Sequence, residues 1–150
     1  MAFEIHLRGS HRGAPREAEN PFTKEREMQI PLVMDAGELA AARAILLRDG
    51  TVDDEGFAVV ASPTFRLQWF GFDEEGGLVE VRGDLKDACE RLFELATAGA
   101  LAIVLTQAEA PVAAVTTTDA FLRARALADE LGEIELVTSP SELAQWIATS

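Results

Sequence analysis
The sequence predicts an α+β fold: a mixed, largely antiparallel sheet with about four helices concentrated on one face. Three observations carry this expectation. Apolar residues alternate with polar ones in some short stretches, the period of a half-buried strand, and in others recur at i, i+3, i+4 and i+7, the period of an amphipathic helix. The order of these stretches, β-β-α-β-β-β-α-β-β-α-β-α, is a series of mixed runs rather than the strict alternation of a parallel α/β sheet. Phe57 to Arg82 reads as three successive strands, the last two joined by a turn with hairpin chemistry. With 150 residues, 48% hydrophobic and 26% charged, the chain has the size and composition of one globular domain and needs no disulfide to fold. We therefore read 1–150 as a single domain, with a first strand at 2–7, a mobile loop or arm at 8–27 and the main folded body at 28–150.

In chain order, Phe3, Ile5 and Leu7 alternate with Glu4 and His6 as a strand. Arg8 to Asn20 holds two glycines, one proline and almost nothing apolar, hence the loop or arm. Met28 to Met34 is expected as a strand in which Pro31 marks an edge or an irregularity. Asp35 with Glu38 forms a capping box, and Leu39, Ala42, Ile45 and Leu46 then follow helical spacing until Gly50. Phe57 to Ala61 is the next strand. Asp84 caps a second helix whose Leu85, Ala88, Cys89, Leu92, Phe93 and Ala96 form one apolar stripe, ended by Gly99. Leu101 to Thr106 and Pro111 to Thr116 are strands whose connection, Gln107 to Ala110, is short enough for a hairpin. Thr117 or Thr118 caps a third helix, with Phe121, Ala124, Leu127, Ala128 and Leu131 inward and Gly132 at its end. Glu133 to Thr138 is the last strand. Ser139, Pro140 and Glu142 start a final helix, in which Leu143, Trp146 and Ile147 make a short amphipathic lid.

The densest aromatic cluster lies between Thr64 and Phe72. Strand alternation puts Phe65, Leu67 and Trp69 on one face and Arg66, Gln68, Phe70 and Phe72 on the other. Both faces carry aromatics, so Phe70 and Phe72 require cover from a helix, from another part of the chain or from a partner. The following turn, Asp73-Glu74-Glu75-Gly76-Gly77, adds three carboxylates beside them. A second acidic loop, Asp53-Asp54-Glu55, precedes the same strands.

Charge narrows the function classes. Residues 1–27 contain five Lys/Arg and five Asp/Glu, so the whole net charge of −13 falls on 28–150. Such a surface repels phosphate backbones and anionic lipid, which argues against nucleic-acid and membrane partners and favours a basic protein. The longest apolar run, Ala98 to Leu105, is far shorter than a bilayer span, and Met1 to Leu7 carries Glu4 and His6 where a secretory signal would be apolar. With a single cysteine, the expected location is cytoplasmic.

Chemical motifs are sparse. His6 and His11 straddle a strand-to-loop boundary and the one cysteine lies on a buried stripe, so no metal site is expected; no cofactor fingerprint, P-loop or G-x-S-x-G elbow is present. Thr116-Thr117-Thr118 serve as helix caps more readily than as an anion site. No catalytic residue is assigned. The expected function is that of a non-catalytic, acidic protein-binding protein, similar in composition to small bacterial immunity or antitoxin proteins that occlude a basic partner. Its predicted binding residues are Asp53, Asp54, Glu55, Trp69, Phe70, Phe72, Asp73, Glu74 and Glu75. A small enzyme or ligand-binding domain with a scattered site, and an assembly subunit or homodimer pairing through the Pro31 strand or the Trp146 helix, are the competing classes.

Overall fold
A computed structural model describes residues 2–48, 50–52, 57–105, 112–127, 131 and 133–149. Its strands are β1 (Ala2–Arg8), β2 (His11–Arg12), β3 (Arg16–Glu19), β4 (Arg26–Gln29), β5 (Leu32–Val33), β6 (Gly50–Val52), β7 (Ala58–Ala61), β8 (Phe65–Trp69), β9 (Gly76–Gly83), β10 (Ala102–Leu105), β11 (Val112–Val115) and β12 (Glu133–Leu136). The helices among the described residues are α1 (Ala36–Arg48), α2 (Leu85–Gly99), α3 (Thr118–Arg125) and α4 (Pro140–Thr149). Eight strands form one sheet in the order β12-β11-β10-β1-β9-β8-β7-β6. Every neighbouring pair is antiparallel except β11 and β12, which α3 connects as a parallel unit. The fold is α+β, as the mixed runs of elements imply.

The helices follow from local chemistry. Asp35 and Glu38 close the predicted capping box on α1: Glu38 N–H donates to Asp35 Oδ1 at 2.7 Å and Asp35 N–H donates to Glu38 Oε1 at 2.9 Å. Asp84, Thr117 and Ser139 each accept a backbone N–H three residues on, at 2.9, 3.1 and 3.1 Å, which satisfies one orphan donor per helix. Packing of the apolar stripes against the sheet then places helices on both of its faces. α1, α2 and α4 cover one face, where Ala42, Leu46, Ala88, Cys89, Leu92 and Leu143 meet Ile5, Leu67, Trp69, Val79, Val81 and Ile103. α3 lies on the opposite face, its Ala120 and Ala124 against Ala102, Val104, Ala113 and Val115. β10 and β11 are therefore covered on both faces, which explains why their residues are apolar without alternation.

Three elements differ from the sequence expectation. The 8–27 segment carries two small pairings: β2 with β5, and β3 with β4 as a hairpin arm whose residues are mostly exposed. Met28 to Met34 is not one strand of the main sheet, because Pro31 has no N–H to give a ladder; β4 ends at Gln29, β5 begins at Leu32, and the Pro31 carbonyl instead accepts from Gly13 N–H. The strand at one end of the main sheet is β6. At the end of α2 the left-handed residue is Ala100 (φ 47°), not Gly99. Gly99 is needed for closeness instead: a Cβ there would lie 2.9 Å from Met34 Sδ and 3.0 Å from Leu101 Cγ.

Candidate functional site
The predicted aromatic stretch divides at Phe70. Phe65, Leu67 and Trp69 point toward the helices, as alternation requires, and Leu67 and Trp69 are completely buried. Phe70 projects from the other face and is 40% exposed, its ring edge-on to Phe57 with centroids 5.8 Å apart. Its N–H donates to Leu78 O of β9 at 3.0 Å. Gly71 then adopts φ +86°, which resets the alternation and returns Phe72 to the core side. There Phe72 is half-buried and packs edge-on against Trp69 at 5.4 Å.

The turn that follows is tightly specified. Asp73 and Gly76 exchange backbone hydrogen bonds, and Asp73 Oδ1 accepts from Glu75 N–H at 2.9 Å. Gly76 sits at φ +98°, where a Cβ would fall 1.9 Å from Leu7 O, so only glycine fits. The turn backbone is also held by the N-terminal arm: Met34 N–H donates to Glu74 O at 2.7 Å and Gly9 N–H to Glu75 O at 3.3 Å. Arg16 clamps the Glu75 carboxylate with two hydrogen bonds of 3.0 and 3.1 Å, whereas the Asp73 and Glu74 side chains are exposed.

These positions sort the predicted binding residues. Phe70, Asp73 and Glu75 line one surface, with Glu75 already paired to Arg16, and Glu74 is exposed in the same turn. Trp69 is corrected from binding residue to core: helices cover the face it points to, and its ring reaches no solvent. Phe72 is likewise a core-edge residue, because Gly71 turns the chain. Asp53, Asp54 and Glu55 lie outside the described residues. A shallow cleft of about 350 Å³ beside Phe70 is lined by His6, Arg8, Asp73, Glu75 and Leu78, a mixture of both charge signs.

Residues not predicted from the sequence extend this surface. Among the described residues α3 covers only the β10–β12 part of its face, and Glu4, Ala61, Arg66, Phe70 and Arg82 on the remainder are exposed. Strand register places Glu4, Glu80, Gln68 and Val59 in one row and Arg82, Arg66 and Ala61 in another. The signal was available in principle: Glu4 and His6, Arg66 and Gln68, and Glu80 and Arg82 are all polar at i, i+2 spacing, the mark of a strand face left to solvent.

A second cluster joins the arm to α1. His11 Nε2 lies 3.0 Å from Glu38 Oε1 and 3.9 Å from Asp35 Oδ2, and the three side chains could offer ligand atoms to a metal ion. The carboxylates there already have other duties: both cap α1, and Glu38 Oε2 accepts from Arg123 at 3.3 Å. Arg123 Nη2 also donates to Ser10 Oγ at 3.0 Å, and that hydroxyl donates to Ala100 O at 2.7 Å. The arrangement ties the arm, α1, α2 and α3 together. It is a structural clip with a positive helix terminus and a guanidinium beside it, which disfavours a cation.

Several hydroxyls and the one thiol are committed to structure. Ser10 is locked as described, Thr117 caps α3, and the Thr116 hydroxyl bonds that of Thr97 at 2.8 Å. Burial pushes the Cys89 thiol up to about 12, so it stays protonated and inert at neutral pH. No protein-family model, curated protein or solved structure matches this chain. Its function therefore has to be argued from its own surface.

Proposed function
We propose that this chain is a non-catalytic binding protein that occludes a basic partner protein, in the manner of an acidic immunity-type inhibitor. The observation that carries the reading is the juxtaposition of the exposed Phe70 ring with the exposed Asp73 and Glu74 carboxylates in the turn between β8 and β9, in a chain of net charge −13. An aromatic anchor rimmed by charge is the anatomy of a binding hot spot, and the excess negative charge speeds encounter with a cationic surface. The rigid turn supports the same reading: its backbone is fixed by Met34, Gly9 and Gly76, so little order has to be gained on binding. The commitment of Ser10, Thr117 and Cys89 to structure weighs against an enzyme.

The test is calorimetric titration of a captured partner with the wild-type chain and with a Phe70→Ala/Asp73→Asn/Glu74→Gln variant. The expected result is weakening by about thirtyfold or more, corresponding to a loss of about 2 kcal/mol at a hot spot. Unchanged affinity in a variant that still melts cooperatively overturns the assignment of this surface.

A further inference from the structure
The sheet has a second feature at its far end. β12 is the terminal strand: β11 borders one side, and no strand pairs with the other among the described residues. Its Ile134 and Leu136 pack toward α3. Register with Val112 and Ala114 turns Glu133 and Glu135 to the opposite face, beside α4. Both carboxylates are exposed, and neither has a hydrogen bond or ion pair among the described residues.

Two depressions meet there. One of about 480 Å³ is bounded by Val112, Glu133, Glu135 and Trp146, and one of about 260 Å³ by Glu135, Glu142, Gln145 and Trp146. Because they share Glu135, Trp146 and Thr149, they form a continuous groove along the free strand edge. Three carboxylates line it, with no Lys or Arg among the lining residues. Glu142 is oriented by Thr138, whose N–H and hydroxyl both donate to Oε2 at 2.8 and 3.1 Å.

We propose that this groove binds an extended, Lys- or Arg-bearing protein segment, which pairs with the free edge of β12 and lays alternate cationic side chains against Glu133, Glu135 and Trp146. Charge complementarity selects the sign of the occupant. Spacing selects its shape: Glu133 and Glu135 are two residues apart on one strand, roughly 7 Å along the backbone, which equals the same-face repeat of a paired strand. The indole supplies an aromatic surface for an alkyl stem or guanidinium, and the strand edge supplies main-chain hydrogen bonds. The site is independent of the Phe70 surface, since β11, β10, β1 and β9 lie between β12 and β8.

The chain itself carries the reporter. Of its two tryptophans, Trp69 is sealed in the core and Trp146 lines the groove. The experiment titrates the full chain with a synthetic eight-residue peptide of alternating Arg and Val, read by tryptophan emission and acrylamide quenching, with the Arg-to-citrulline peptide as control. The expected result is a saturable change with reduced quenching for the Arg peptide, weakened at least tenfold by Glu133→Gln/Glu135→Gln and left intact by Asp73→Asn/Glu74→Gln. Three results overturn the proposal: no saturable change, equal binding of the citrulline peptide, or equal binding to the Glu133→Gln/Glu135→Gln variant. The last would mean that the peptide senses only overall charge and that these carboxylates merely protect an edge.

Discussion

Replacing Trp69 and Phe70, one at a time, by alanine separates the two faces of β8. Trp69 reaches no solvent and stacks edge-on with Phe72, so Trp69→Ala removes the largest completely buried side chain of the core. Deleting a buried Trp costs roughly 3–5 kcal/mol. The indole N–H has no hydrogen-bond partner there, so about 1 kcal/mol returns when it is removed, leaving a net loss of roughly 3 kcal/mol. For a chain of this size that lowers the melting temperature by roughly 10 °C. Phe70 is 40% exposed and its main neighbour is Phe57, so Phe70→Ala forfeits partial ring burial and one edge-to-face contact, about 1–2 kcal/mol. Urea unfolding followed by far-ultraviolet circular dichroism gives both values. If Phe70→Ala costs as much as Trp69→Ala, the Phe70 ring is core and cannot serve a partner without unfolding; if Trp69→Ala is nearly neutral, the described layering of helices over β8 is refuted.

Further outcomes follow from the same geometry. Gly76→Ala combines an unfavourable φ with a 1.9 Å approach to Leu7 O, so a loss of more than about 3 kcal/mol is expected in thermal melts; an unchanged melting temperature refutes the turn. Glu38→Ala removes the reciprocal half of the α1 capping box together with the contacts to Arg123 and His11, at about 1–3 kcal/mol in urea unfolding, whereas an effect within about 0.5 kcal/mol, the surface-substitution range, contradicts the clip. The Cys89 thiol is raised from 9.0 to about 12, so between those values the unfolded chain has lost a proton that the folded chain keeps. Stability is therefore complete below about pH 9 and falls as pH rises, by about 1.4 kcal/mol per unit at most. The window is readable because the chain has no tyrosine and only Lys24 and Lys86 as lysines. Cys89→Ala, referenced to its own stability near neutral pH, should flatten the fall, and equal slopes in both proteins refute it.

What was legible in the sequence is what local chemistry decides. The caps at Asp35, Asp84, Thr117 and Ser139 depend on a side chain and an N–H three residues away, so reading them needs no knowledge of the fold. The hairpin joining β10 to β11 follows from the length of its connection. Side-chain direction along Phe65 to Phe70 is likewise local. Phe72 is misplaced because Gly71, at φ +86°, breaks the period, and strand alternation read from the sequence does not reveal which glycine takes a positive φ. Trp69 looks like a binding residue only because the helices that cover its face, sixteen or more positions away in the chain, are invisible to a local pattern. The convergence of His11 with Asp35 and Glu38 and the edge position of β6 are set by tertiary placement in the same way. β6 has three residues, too few to display a period.

Affinity capture with the tagged wild-type chain from native lysate, at low and at moderate salt, asks whether this acidic surface engages a basic protein. One basic protein is expected in stoichiometric amount, less of it as salt rises, and little with the Phe70→Ala/Asp73→Asn/Glu74→Gln variant. Recovery of no partner at either salt, or of a neutral or acidic protein held equally by wild type and variant, would contradict it.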